Sequence, residues 1–418
     1  MLEQLQEARR HAAERFARHQ AETDRTKDGP APGASGRDPV TAGVQDAQTG
    51  AIAASSSVLH VLSYNIWFEF QHTYEDRMKV VAAIADKSDA GVRPAVVGLQ
   101  EVTGPQMSLL KGRLEAVGYT VAEQADKAAG YWCAIATRAP LHVIKPAKWL
   151  PFPSSQMCRG LLITHVGWPG CGRVVVATSH LESFIGLQFK AVVNAERESQ
   201  LAMAGRVLAE EARASGAVAA ILMGDMNWDD SSNKKASPLL GGGWVDVWEE
   251  VGQPADAQFT YDGRANKMLA HSFRNRFDRC FLWQQSEGDC ASKVRPEAIA
   301  LEGKGQLPGK FIDKPTKSGV TRHLPLLPSD HFGLLASFQA PSKPAQPLAT
   351  ARSTRAPANL SRPGEKRPAL DHVIDGHSGD ACKRARADPA ELRRGEDESG
   401  RPRGAQGSSK DDAIVLSP

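Results

Sequence analysis

The 418 residues carry 51 Lys/Arg against 48 Asp/Glu, a formal net charge of +3, and only six cysteines. A balance this even shows no strong global attraction to nucleic acid, so any basic groove must be local; Lys234, Lys235, Arg274, Arg276 and Arg279 are its candidates, although ordinary solvated surface is the commoner fate of each. The cysteines, at 133, 158, 171, 280, 290 and 382, form no CxxC pair, which argues against a zinc module and a secreted disulfide framework; with no apolar run near the ~18 residues of a membrane span, a soluble intracellular protein is expected.

In chain order, residues 1–57 contain one helix-like stretch, Leu2 to Arg18, then a Gly/Ala/Pro-rich run without strong apolar pattern. Apolar periodicity is confined between Val58 and Phe338, which sets one folded domain over residues 58–340. Within it, strands are predicted over Leu59 to Trp67, Ala95 to Val102, Trp132 to Thr137, Gly160 to Val166, Arg173 to Ser179, Val218 to Met223, Arg276 to Trp283 and Gly333 to Phe338. Several of these runs are continuous enough to be buried on both faces. Helices are predicted over Glu75 to Lys87, with Met78, Val81, Ile84 and Ala85 on one face, over Leu109 to Val117, and from about Gln188 to Ala214. Strands interleaved with covering helices predict an α/β fold of two sheets packed face to face and flanked by helices. Residues 341–418 hold 14 Lys/Arg against 11 Asp/Glu, so the tail accounts for the whole net charge. Its Pro/Arg/Ser/Asp-rich composition buries too little surface to offset chain entropy, and both ends are expected to be disordered.

Four short polar clusters close apolar runs: Tyr64-Asn65, Gln100-Glu101, Gly224-Asp225-Met226-Asn227 and Ser329-Asp330-His331. Singly each is weak, since Gly, Asp and Asn form turns and Ser and Asp cap helices. In series they divide the labour of phosphodiester cleavage. Mg²⁺ takes oxygen ligands and needs few protein carboxylates, which suits Glu101. Asp225, with Asn227 two residues on, suits holding and deprotonating the attacking water. His331 and Asn65 can donate to the charge that develops on the phosphate.

The string LSYNIW (62–67), GLQEV (98–102), ATSHLES (177–183), LMGDMNWDD (222–230) and SDHFGLL (329–335) resembles the endonuclease/exonuclease/phosphatase superfamily. GWVDVWEEVG (243–252), FTYDGRANKML (259–269) and RFDRCFL (276–282), together with SHLES, narrow the resemblance to the 5′-tyrosyl-DNA phosphodiesterase family. It spans Val58 to Ala340 and implies a four-layered α/β-sandwich of two mixed sheets flanked by helices. It also implies Glu101 as the Mg²⁺ ligand, with Mn²⁺ able to substitute, and Asp225 as the group that activates water. Asn65, Asn227 and His180 become polar contacts to phosphate and nucleophile, His331 the phosphate-binding histidine, and Asp278 the carboxylate that fixes its tautomer. Asp330 becomes an outer partner near the metal, and Tyr261 and Arg276 substrate contacts. Two positions depart from the vertebrate pattern: Asp229 stands where an Arg is expected and Tyr261 where a Trp is. The first removes a DNA contact and adds a negative charge.

The implied activity is Mg²⁺-dependent hydrolysis of the 5′-phosphotyrosyl bond that joins a stalled topoisomerase to DNA, on single-stranded or frayed ends, leaving a 5′ phosphate. A phenol, with a pKa of ~10, leaves far more readily than a sugar alkoxide. The rival readings are another activity of the superfamily, such as an abasic endonuclease, a deadenylase or a lipid phosphatase, or an adaptor whose catalytic domain is secondary. In the tail, Lys366-Arg367 with Lys383-Arg384-Ala385-Arg386 resembles a bipartite nuclear import signal, so a nuclear protein is expected. Asp411 to Leu416 has the acidic-apolar pattern of a SUMO-interacting strand, for which chance is the stronger explanation. No feature demands a dimer.

Overall fold

The computed structural model describes residues 57–342 apart from 70–72, 128, 232, 286–292 and 316–318. The expected N-terminal helix, the basic pairs of the tail and the SUMO-like strand lie outside the described residues.

One six-stranded sheet contains β1 (Val58–Asn65), β2 (Val96–Val102), β3 (Tyr119–Glu123), β4 (Trp132–Arg138), β13 (Arg295–Glu302) and β16 (Gly333–Gln339), in the order β13-β16-β1-β2-β4-β3. A second contains β5 (His142–Pro151), β6 (Gly160–Trp168), β7 (Gly172–His180), β8 (Ala219–Asp225), β9 (Trp244–Asp246) and β12 (Asp278–Trp283), in the order β5-β6-β7-β8-β12-β9. Both are mixed: β1 runs parallel to β2 and β7 to β8, while β16 and β12 return antiparallel to β1 and β8. Two short ribbons, β10 (Tyr261–Asp262) with β11 (Arg274–Asn275) and β14 (Phe311–Pro315) with β15 (Thr321–Pro325), stand apart from the sheets.

Period-two alternation explains the layering. Val61, Val96 and Ile135 of the first sheet meet Val176, Ile221, Met223 and Leu282 of the second in a shared core. Their neighbours Leu62, Tyr64, Val97 and Leu99 point the other way, onto Met78, Val81 and Ile84 of α1 (Tyr74–Asp86) and Leu110 and Leu114 of α2 (Gly104–Ala116). Val175, Ala177, Leu222 and Phe281 likewise cover Leu201, Ala204 and Leu208 of α3 (Lys190–Ser215). The result is four layers, helix–sheet–sheet–helix, as the resemblance implied. Because central strands are buried on both faces, they read as continuous apolar runs.

The eight predicted strands are all present, but β3, β5, β9, β10, β11, β13, β14 and β15 add to them. β5 shows why: it is an edge strand, exposed or half-buried along its length, and carries no apolar alternation. Helix α2 starts five residues before the predicted Leu109, where Thr103 and Gln106 close a capping box and Pro105 occupies the first turn. Among the described residues, Cys133, Cys171 and Cys280 are buried free thiols.

Candidate active site

Strand direction gathers the polar clusters on one rim. β1 and β2 end side by side, so Asn65 pairs in register with Gln100. β7 and β8 end side by side, placing His180 opposite Asp225, and β12 begins where β8 stops, placing Asp278 opposite Asp225 as well. His331 precedes β16, which starts beside the end of β1. The glycine of the GDMN string is required: Gly224 has φ +149°, and a Cβ there would lie 1.9 Å from the carbonyl oxygen of Ser179. β2 breaks register between Leu99 and Val102, and within that irregularity Glu101 sits at φ 59°. Such a bulge re-aims a side chain, and a non-glycine residue held in the left-handed region marks a functional constraint.

Asp225 is the hub. Its Oδ2 accepts from Asn65 Nδ2 at 2.9 Å and its Oδ1 from the Asn227 amide at 2.8 Å. His180 Nε2 lies 3.4 Å and His331 Nε2 3.8 Å from Oδ2. Burial pushes the Asp225 carboxyl up, but the His331 charge and these donors outweigh it and hold the group below its ordinary value. Asn65 is committed to this role, since its Oδ1 also accepts from the Trp67 amide at 3.0 Å. Asn227 Nδ2 donates to Leu181 O (3.1 Å) and Ser183 Oγ (3.3 Å), which orients its carbonyl oxygen as an acceptor.

The two histidines differ in protonation. His331 Nδ1 lies 2.8 Å from Asp278 Oδ2; burial opposes its charge, yet Asp278 and Asp225 hold the imidazolium well above the usual range. His180 Nδ1 lies 2.8 Å from Arg159 Nη1. A guanidinium can only donate, so Nδ1 accepts and the proton sits on Nε2, facing Asp225. Burial and the Arg159 charge keep this ring neutral, well below the ordinary histidine value.

Two groups of ligand atoms lie within 4.8 Å of one another: Glu101, His180 and Asp225, and Asp225, Asp278 and His331. Neither histidine has a free lone pair there, because His180 Nε2 and both nitrogens of His331 carry protons. The donors that remain are carboxylate oxygens. Burial, with Asp330 and Asp225 nearby, pushes the Glu101 carboxyl up to about 7, a concentration of negative charge that a divalent cation relieves. An oxygen-only set suits a hard cation and not zinc.

The sequence compares accordingly. The Endonuclease/Exonuclease/phosphatase family pattern matches residues 62–331, from the Asn65 cluster to His331. The chain belongs to the endonuclease/exonuclease/phosphatase family. Among curated relatives, it is 33% identical over 248 residues to tyrosyl-DNA phosphodiesterase 2 of Bos taurus and of Homo sapiens, covering 59% of this chain and 59% of each relative. The chain thus matches less than two thirds of their length. The crystal structure of D. rerio TDP2 complexed with a single-strand DNA product is 28% identical, with TM-score 0.54, over 68% of this chain and 100% of that one. Truncated Caenorhabditis elegans TDP2, at 24% identity and TM-score 0.53 over 68% of this chain and 98% of that one, is alike in fold.

Within this family fold the predicted residues Asn65, Glu101, His180, Asp225, Asn227, Asp278 and His331 converge. Tyr261 also reaches the site: its ring lies edge-on to His331 at 5.1 Å, and its hydroxyl lies 3.3 Å from His271 Nε2. Arg276 has a different task from the substrate contact expected of it. It is 5% exposed, its Nη1 donates to Asp246 Oδ2 at 2.7 Å, and its guanidinium lies over Trp248. Arg279 joins Asp246 and Asp230, Arg274 joins Asp262, and Lys234 joins Glu198, so four of the five cations suggested for a basic groove are paired with carboxylates. Asp229 accepts from the Ser231 amide and hydroxyl and so shapes its own loop.

Sequence reasoning missed Arg159, Tyr131 and Ser183. Arg159 Nη2 donates to Tyr131 Oη and to Ser183 Oγ, both at 3.0 Å, while its Nη1 holds His180. Tyr131 in turn stacks on Phe68 at 5.3 Å. Only Ser183 sat in a recognisable string.

Proposed function

We propose that this chain is a Mg²⁺-dependent phosphodiesterase that hydrolyses the bond between a tyrosine side chain and a 5′ DNA phosphate, leaving a 5′ phosphate. The observation that carries the reading is the Asp225 carboxylate, approached at once by Asn65, Asn227, His180 and His331 and adjoining Glu101. The names of the relatives supply the substrate class.

In this reading Asp225, ionised and fixed through both oxygens, orients the attacking water and takes its proton, with the Asn227 carbonyl as second acceptor. His331, kept cationic by Asp278, donates Nε2–H to a non-bridging phosphate oxygen, and neutral His180 donates its own Nε2–H beside it. Glu101 and neighbouring carboxylate oxygens hold the cation, for which Mn²⁺ is expected to substitute. When bound, Mg²⁺ supplies Lewis-acid polarisation of the phosphate and neutralises developing charge. A phenolate of pKa ~10 departs without a dedicated acid, and the Phe68–Tyr131 face beside Arg159 gives an aromatic leaving group an apolar wall. We extend the reading to a monomer that works in the nucleus on single-stranded or frayed ends.

The test is a panel of labelled single strands, each in Mg²⁺ and in EDTA: one with 5′-phosphotyrosine, one with 3′-phosphotyrosine and one with an internal abasic site. Metal-dependent cleavage of the first alone supports the assignment. Cleavage of another substrate in its place keeps the metal site and removes the function.

A further inference from the structure

The β14–β15 hairpin is unused by the chemistry above, yet it sits against the site. Its strands pair Ile312 with Leu324, Asp313 with His323 and Lys314 with Arg322. Ile312 is buried in the inter-sheet core and Leu324 packs against it, so this pair marks the inward face. Residues two apart share a face of a strand, which puts Lys314 and Arg322 on that inward face too, one pair further along. The outward face carries the exposed Phe311–His323 stack and the Asp313–His323 pair.

Lys314 Nζ lies 5.6 Å from the centre of the Trp67 ring, and Trp67 donates its amide to Oδ1 of Asn65, whose Nδ2 donates to Asp225. The charges that act on Lys314 are Asp330, next to His331, and Glu69; Lys314 in turn acts on His271, the partner of Tyr261. The ammonium is half-buried and makes no ion pair among the described residues. A lysine held there, with an exposed arginine beside it, is a cationic pair at the edge of a centre whose own cation, His331, is already assigned to the reacting phosphate.

We propose that Lys314 and Arg322 grip the nucleic-acid strand, binding the phosphate on the 3′ side of the one being cut. This rests on the phosphodiesterase reading, since it requires a substrate that continues beyond the reacting phosphate. A lysine and an arginine facing one way recognise phosphate by charge and carry no base specificity. The hairpin then makes the enzyme prefer polymeric over mononucleotide esters.

The test compares kcat/KM for a 5′-phosphotyrosyl tetranucleotide with that for the p-nitrophenyl ester of thymidine 5′-phosphate, in wild type, Lys314→Ala, Arg322→Ala and the control Lys304→Ala. A second arm measures anisotropy of a fluorescent 5′-phosphorylated single strand across a salt series. The wild type is expected to favour the tetranucleotide, and either hairpin variant to cut that ratio about ten- to hundredfold, the worth of one charge-assisted hydrogen bond. The slope of log affinity on log salt should fall by about 0.7 per lost contact. Lys304→Ala should keep both. A length ratio and salt slope retained in both hairpin variants overturn the proposal. If the wild type cleaves neither ester, the phosphodiesterase reading fails; the anisotropy arm still decides the grip, with unaltered binding in both variants overturning it.

Discussion

His331 Nδ1 lies 2.8 Å from Oδ2 of Asp278, a carboxylate whose other oxygen is buried without a hydrogen-bond partner among the described residues. A buried carboxylate that serves one imidazole and little else is costly unless the imidazole is charged, and the pair stabilises the imidazolium that phosphate binding needs. Asp278→Asn is therefore expected to lower turnover by about 10²–10³-fold, the usual loss when one transition-state donor is disabled. It should also move the alkaline limb of the pH profile to lower pH, as His331 loses its proton sooner. A profile that keeps its shape would show that Asp278 is structural.

Glu101 sets a second pH dependence. Its carboxyl, pushed up to about 7, must lose a proton before it can bind a cation, so divalent-metal affinity measured by calorimetry should weaken as pH falls below about 7. Without metal, both Glu101 and His331 have folded values above their unfolded references of 4.5 and 6.5, so the native state holds extra protons. Stability from these groups is present at low pH and lost as pH rises through the folded values. In EDTA, Tm should therefore drop between about pH 6 and about pH 8, and saturating metal should narrow the difference.

Arg159 is expected to act through His180. In the native protein, ¹⁵N NMR should find His180 neutral with its proton on Nε2. Arg159→Met removes the donor that enforces this tautomer, so both tautomers should appear and turnover fall by about twofold, as a donor near the phosphate is lost half the time. A single unaltered tautomer in the variant would contradict the assignment.

The cluster of Asp246, Arg276 and Arg279 predicts stability alone. Asp246 Oδ2 accepts from both guanidiniums, at 2.7 and 3.2 Å, and all three side chains are buried. Asp246→Ala leaves two buried cations with only the half-exposed Asp230 and should cost about 3–5 kcal/mol. A fall in Tm on the order of 10 °C follows for a domain of this size. Thermal unfolding of the variant checks it.

Much of this was legible in the sequence for definite reasons. Val61, Val176 and Leu222 lie in strands buried on both faces and announce themselves as apolar runs, and Asn65, Asp225 and His331 stand at the ends of such runs, where function collects. β5 and the β14–β15 hairpin were not legible, because edge and ribbon strands expose polar residues and lose the periodic signal. Arg276 and Arg279 looked free because Asp246, some 30 residues away in sequence, becomes their partner only through the β9–β12 pairing. Arg159, alone in a polar loop, carried no pattern that could link it to His180.

The central claim is water attack, directed by Asp225, on a 5′ phosphate esterified to tyrosine. The most direct measurement is single-turnover cleavage of a 5′-phosphotyrosyl single strand in ¹⁸O-water with Mg²⁺, by wild type and Asp225→Asn. The account predicts tyrosine release that needs the metal, one ¹⁸O in the 5′ phosphate of the DNA and none in the tyrosine, and loss of release in the variant. Label in the tyrosine, or undiminished release by Asp225→Asn, would contradict it.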